Sequence, residues 1–318
     1  MNEFDLIRQY FTRPTPRAVV GIGDDAALLS LSPGHQLAVS ADMLVAGRHF
    51  FADADPERLG HKALAVNLSD LAAMGAKPSW FTLSLALPSV DADWLAAFSR
   101  GMFALADAHG IELVGGDTTK GPLTIAIQIA GEVEIGARML RSQAQLGDDI
   151  WVSGPLGAAA AAVMYRTGRV NLAAEVAARC DLRLDLPQPR VALGRAIRPL
   201  VHAAMDISDG LAGDLRHICQ RSQCGARIEV DAVPAAPELA ALPAELALEA
   251  KLAGGDDYEL LFTAPASARA QLAAIGQDLG LALSRIGQIT AASGVQFVDA
   301  AGETLELGLG GFDHFRAP

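Results

Sequence analysis

The sequence predicts an α+β protein of two comparable domains, and three observations carry that expectation. The chain has 318 residues, about twice the usual domain size, so two hydrophobic cores are expected rather than one. Short strand-like runs alternate with longer helical patterns in both halves, as in mixed layers of helix and sheet. Hydrophobic residues make up 51% of the chain and charged residues 19%, the balance of a packed protein rather than a disordered one.

Along the first half, Gln36–Ala41 reads as a strand after the Gly21-Ile22-Gly23-Asp24-Asp25 loop. A helix follows from Asp55-Pro56, an N-cap residue with proline at the first helical position, and runs to about Gly75. Trp80–Leu87 reads as a strand, and Asp93–His109 as a helix with Trp94, Phe98, Met102 and Leu105 on one face. Leu123–Ile129 alternates like a strand. The pattern pauses at Gly147-Asp148-Asp149, which places a domain boundary between residues 1–147 and 148–318. Beyond it come Ile150-Trp151-Val152, a Gly-Pro-Leu-Gly turn with an Ala-rich helix, a break at Pro187-Gln188-Pro189 and the Ala203–Leu211 segment. A strand at Ala226–Val230, a helix ending near Gly254-Gly255 and a strand at Tyr258–Phe262 complete the second half.

With 25 Lys+Arg against 37 Asp+Glu the formal charge is −12, and no basic patch is concentrated along the chain, which argues against nucleic-acid partners. An acidic protein still binds a polyanion when its carboxylates hold divalent cations that invert the local field. Cys180, Cys219 and Cys224 lack the number and spacing of a disulfide framework or a zinc site and are expected to be reduced thiols. The acidic start, Met1-Asn2-Glu3-Phe4-Asp5, is unlike a secretory signal, and no apolar run approaches the ~20 residues of a membrane span. A cytoplasmic protein is expected.

The informative feature is a set of aspartates expected at strand ends or in Gly-rich loops: Asp24 and Asp25, Asp42, Asp117, Asp206 and Asp209, Asp256 and Asp257. Asp70 joins them from the first helix, where Asn67 and Asp70 share a face at i, i+3 with Ala63 and Met74. A single aspartate in a turn is explained by local hydrogen bonding. Several in apolar surroundings, with few basic residues to pair them, would repel one another without cations. Short carboxylates on tight loops suit Mg²⁺, which takes one or two carboxylates together with phosphate oxygens and water. The chain has no Walker A string, no G-x-G-x-x-G after a strand, no kinase H-R-D or D-F-G, no G-x-S-x-G elbow and no H-E-x-x-H. Metal-assisted phosphate chemistry survives this elimination, and the residues by themselves go no further.

In these same segments the chain resembles the thiamine-monophosphate kinase family, part of the aminoimidazole ribonucleotide synthetase-like superfamily. The resemblance rests on GIGDDAALL (Gly21–Leu29), SADMLVAGRHF (Ser40–Phe50), KALAVNLSDLAAMGA (Lys62–Ala76), GGDTTKGP (Gly115–Pro122), RSQAQLGD (Arg141–Asp148), MDISDGL (Met205–Leu211), GGDDYELLF (Gly254–Phe262) and GFDHF (Gly311–Phe315), in the family's order. It implies an N-terminal domain that pairs with a second copy to form a barrel, hence a homodimer, and a C-terminal α+β domain that completes the substrate site. It implies that Asp25, Ser40, Asp42, Asp70, Asp117, Asp206 and Asp209 hold several Mg²⁺ ions on the phosphates of ATP. Gly116, Asp117, Arg141 and Ser208 would contact ATP, and His49, Asp256 and Phe312 would face thiamine monophosphate. Asp42, Asp70, Asp117, Arg141 and Asp209 would carry the reaction. The sequence departs from the family pattern at Ala41, where Thr is usual, leaving only a backbone carbonyl for a metal; at Asp256, where Glu is usual; and at Phe312, which lacks the polar group of Tyr or Trp.

The activity so implied is Mg²⁺-dependent transfer of the ATP γ-phosphoryl group to thiamine monophosphate, giving thiamine diphosphate. Two alternatives stand beside it. A sister ATP-using synthetase of the superfamily would be expected to carry an N-terminal reactive cysteine or a cysteine tail, whereas the first cysteine here is Cys180 and the chain ends Phe315-Arg316-Ala317-Pro318. A non-catalytic nucleotide- or thiamine-phosphate-binding regulator would need fewer carboxylates than this set supplies.

Overall fold

The computed structural model describes residues 2–305. These form two compact units, one comprising the described residues through Leu71 with Ala76–Gly136, the other Ala72–Gly75 with the described residues from Ala137 onward. Phe312, and the GFDHF string around it, lies outside the described residues.

The first unit opens with a short helix, α1 (Glu3–Leu6), and then lays helices α2 (Pro56–Ala73) and α3 (Ala92–His109) against one face of a four-stranded sheet. Its strands are β1 (His35–Val45), β2 (Lys77–Leu87), β3 (Glu112–Lys120) and β4 (Thr124–Glu134), in the order β1-β4-β2-β3. β4 is antiparallel to both β1 and β2, and β3 is parallel to β2. Alternation sorts the faces. Phe81, Leu83 and Leu85 of β2 and Ile125, Ile127 and Ile129 of β4 are buried, each large apolar side chain contributing about 1.5–3 kcal/mol relative to exposure. The opposite face of β1 presents Leu37, Val39 and Met43, which are 42%, 49% and 59% exposed.

Helix α2 starts where the sequence predicts, and α3 starts at Ala92, one residue before the expected Asp93. Asp55 caps α2 by accepting from the Arg58 N–H at 2.9 Å, and Asp91 caps α3 by accepting from the N–H groups of Asp93 and Trp94 at 3.0 and 3.1 Å. Phe98 and Met102 are fully buried, and Trp94 stacks on Phe98 at 5.0 Å. The two helices approach to backbone contact because Gly60 and Gly101 lack side chains: a Cβ would stand 2.0 Å from the Phe98 carbonyl oxygen in the first case and 1.8 Å from that of Glu57 in the second.

The second unit is a six-stranded sheet with helices. Its strands are β5 (Asp149–Val152), β6 (Ala203–Asp206), β7 (Gly225–Glu229), β8 (Leu260–Ala264), β9 (Ser284–Thr290) and β10 (Gly294–Val298), in the order β10-β7-β9-β5-β8-β6. Every neighbouring pair is antiparallel except β7 and β10. The helices are α4 (Ala158–Arg166), α5 (Ala174–Asp185), α6 (Val191–Ile197), α7 (Leu211–Ser222), α8 (Ala244–Ala253) and α9 (Arg269–Leu279). Its core joins Ile150, Met205, Leu211, Leu215, Ile228, Leu252 and Leu261. Among the described residues no helix is long and apolar enough to cross a membrane.

Candidate active site

In the first unit the predicted residues converge where α2 crosses β1. Ser40, Asp42 and Leu44 alternate onto the helix-facing side of β1, with Leu44 buried and the two polar residues partly so. Asp70, also partly buried, accepts a hydrogen bond from the Ser40 hydroxyl. One turn earlier the buried Asn67 accepts from the Asp42 N–H at 3.2 Å and donates to the Ala63 carbonyl at 3.0 Å. The two-residue spacing of the strand thus meets the three-residue spacing of the helix at two points. His49 follows β1, where its Nδ1 accepts the Val45 N–H at 3.0 Å, so a neutral ring carries its proton on Nε2.

Asp42 and Asp117 correct one expectation, since both lie inside strands and not at strand ends or in loops. Gly116 and Asp117 stand on the edge strand β3, opposite Leu83 and Ser84 of β2. Gly116 has φ +153°, and a Cβ there would meet the Leu83 carbonyl oxygen at 1.8 Å, so this close strand contact requires glycine. Asp117 is exposed. Ala41 projects to the opposite side from Asp42 and is exposed; Asp25 is exposed in the bend between the bridged residues Val20 and Leu28. A cavity of about 190 Å³ in this unit is lined by Arg17, Lys77, Trp80, Glu112 and Glu132, among others, and by none of the predicted site residues.

In the second unit Asp206 ends β6 and is buried, and Ser208 and Asp209 form the turn into α7. Asp214, in the first turn of α7 and 1% exposed, holds that turn by accepting the N–H groups of Ser208 and Asp209 at 3.1 and 3.2 Å. Burial, then the neighbouring Asp209 and Asp206, push its carboxyl up to about 8. The sequence does not mark Asp214, although an acidic residue in the first turn of a helix suits the free N–H groups and positive end of that terminus. The loop carrying Asp256 runs alongside: the Asp256 N–H donates to the Ser208 carbonyl at 2.9 Å and the Tyr258 N–H to that of Ile207 at 2.8 Å. Arg141 is exposed, and its backbone carbonyl accepts from the Ser222 hydroxyl at 2.8 Å.

Among the described residues, no three His, Cys, Asp or Glu side chains close into a metal site by themselves. The donors are nevertheless all oxygen, and the crowding of Asp206, Asp209 and Asp214 is a field that a hard cation would relieve. Such a set fits Mg²⁺ held jointly with phosphate oxygens.

Residues 23–133 match the AIR synthase related protein N-terminal domain, and residues 145–300 its C-terminal domain. The thiamine-monophosphate kinase of Salmonella typhimurium is 46% identical over 324 residues, covering 100% of this chain and 99% of the relative. Among solved structures, the thiamine-monophosphate kinase of Stenotrophomonas maltophilia superposes with a TM-score of 0.85 at 47% identity, covering 91% of this chain and 93% of that one. AaThiL complexed with AMPPCP and TMP superposes with a TM-score of 0.76 at 29% identity, covering 90% and 89%. The chain belongs to the AIR synthase related family and, within it, to the thiamine-monophosphate kinases.

Proposed function

We propose that Asp42, Asp70 and Asp117 of the first unit would hold Mg²⁺ for the phosphates of ATP, with Asp25, Ser40 and the Ala41 carbonyl as further oxygen ligands, and that Asp206 and Asp209 of the second unit would also serve as Mg²⁺ ligands. The chain is an enzyme that phosphorylates thiamine monophosphate with ATP to give thiamine diphosphate. The observation that carries this function is full-length identity of 46% to a thiamine-monophosphate kinase, joined by the likeness to a structure that holds AMPPCP and TMP together.

The acceptor is a phosphate monoester, already dianionic near neutral pH, so its oxygen attacks the γ-phosphorus without a general base. The bond from that phosphorus to the β-phosphate oxygen breaks and ADP leaves, with no phospho-enzyme. The obstacle is repulsion between two polyanions, and positioning plus charge neutralisation is the main catalytic task. Bound Mg²⁺ supplies charge neutralisation. The chain supplies the Arg141 guanidinium as a fixed cation, the Gly116–Asp117 strand and Ser208 turn against ATP, and the His49 Nε2–H as a donor to the thiamine phosphate. By the family resemblance, Asp256 and Phe312 are assigned to thiamine monophosphate.

The apolar stripe of Leu37, Val39 and Met43 on the open sheet face supports a homodimer that covers it. The three free cysteines support a reducing, cytoplasmic setting. Purified protein with ATP, Mg²⁺ and thiamine monophosphate should yield thiamine diphosphate, with little product from free thiamine. No diphosphate at saturating Mg²⁺ would overturn the activity.

A further inference from the structure

The loop between α8 and β8 is strained in a way that its own sequence does not explain. Asp256 and Tyr258 have φ of +66° and +49°, left-handed conformations that side chains disfavour and that persist only where the surroundings impose them. Between these two residues sits Asp257. Its two carboxylate oxygens both accept the Gly157 N–H, at 3.0 and 2.9 Å, at the N-terminus of α4. On the far side, the Asp256 and Tyr258 N–H groups bond to the Ser208 and Ile207 carbonyls. The residue that follows is fixed as well: Glu259 is buried, pairs with Arg190 and accepts the Ser153 hydroxyl at 2.5 Å. The loop is therefore held between the start of α4 and the turn that carries Ser208.

We propose that Asp257 is a positioning residue for the transfer: by tying the loop to Gly157 it imposes the left-handed backbone that aims Asp256 at thiamine monophosphate. This rests on the reading that Asp256 faces that substrate. The nucleotide turn has a separate brace, because the Ser208 and Asp209 N–H groups are held by Asp214. Loss of Asp257 should therefore fall on one substrate more than on the other. The charged groups that act on Asp257 are Glu259, Asp256 and Arg183, and burial holds its carboxyl well above the ordinary range. An asparagine, which resembles the neutral carboxyl and keeps an oxygen acceptor for Gly157, should replace it.

Calorimetric titration of Asp257→Ala, Asp257→Asn and Asp256→Ala with thiamine monophosphate and separately with AMPPCP, alongside Tm, tests this. Asp257→Ala should weaken thiamine monophosphate at least ~10-fold and AMPPCP less than ~3-fold, while Asp257→Asn stays within ~3-fold for both. Unchanged thiamine monophosphate affinity in Asp257→Ala, equal loss of both ligands, or an asparagine variant as weak as the alanine one overturns the proposal. If Asp256→Ala weakens the substrate and Asp257→Ala does not, the brace alone is wrong; if Asp256→Ala has no effect, the reading of Asp256 is wrong. Should Asp257→Ala not fold, Asp257→Ser, too short to reach Gly157, carries the same expectation. Failure of both to fold makes Asp257 a core residue and also overturns it.

Discussion

The Ser40 hydroxyl donates its hydrogen bond to the Asp70 carboxylate, joining the middle of β1 to α2. One turn away Asn67 holds the Asp42 N–H, so the helix presents Asp70 and steadies the strand that presents Asp42. Removing the Asp70 charge with Asp70→Asn should lower kcat at least ~10-fold, since ~1.4 kcal/mol of lost transition-state stabilisation suffices. Ser40→Ala should act in the same direction but more weakly, raising the Mg²⁺ concentration needed for half-maximal rate. Circular dichroism should show both variants folded. Wild-type turnover in Asp70→Asn would remove that residue from the proposed metal set.

The legible parts of the fold are those written in local spacing. Helix α3 could be read from the apolar series Trp94, Phe98, Met102 and Leu105, and α2 from Asp55-Pro56 with the polar pair Asn67 and Asp70. Strand β3 could not be read, because Gly115, Gly116 and Asp117 are poor strand formers and pairing with β2 overrides that preference. The same override puts Asp117 inside a strand. For the candidate site, residue types and spacing single out Asp42 and Asp70 and the family resemblance adds Ser40, but their meeting across β1 and α2 is a tertiary fact. The left-handed Asp256 and Tyr258 depend on carbonyls distant in sequence, and no residue pattern announces them; Asp214, an acidic residue in the first turn of α7, leaves only a weak local signal.

Arg190 and Glu259 form a largely buried ion pair whose side chains are 16% and 4% exposed. Ser153 adds a third contact to the carboxylate. Breaking such a pair leaves one buried charge uncompensated, at a cost of about 3–5 kcal/mol. Arg190→Met should therefore lower the urea midpoint strongly, and adding Glu259→Gln in the same chain should recover part of the loss. A single variant as stable as wild type would show that the pair is not holding the loop that follows Asp257.

The exposed stripe on β1 makes a prediction about assembly. Leu37, Val39 and Met43 alternate onto one face and leave large apolar surface in water. A charge placed in a covered apolar face costs several kcal/mol through desolvation, so Val39→Lys should move the protein from dimer to monomer in sedimentation velocity. Wild-type protein that sediments as a monomer at every concentration would refute the homodimer itself.

His109 closes α3, where a positive charge would gain roughly 0.3–1 kcal/mol from the helix dipole. Its pKa is nevertheless lowered, first because burial disfavours the charged ring and second because His61 stands nearby. Desolvation thus outweighs the dipole. A folded-state pKa below the unfolded value of about 6.5 means that the unfolded chain binds the proton more readily, so the neutral ring's contribution to stability is intact above pH 6.5 and is lost as pH falls through the folded value. His109→Asn, which cannot take up the proton, should lose less Tm than wild type between pH 7.5 and pH 5, with carboxylate titrations common to both chains. Parallel Tm curves for the two proteins would show that His109 does not titrate across folding in that window.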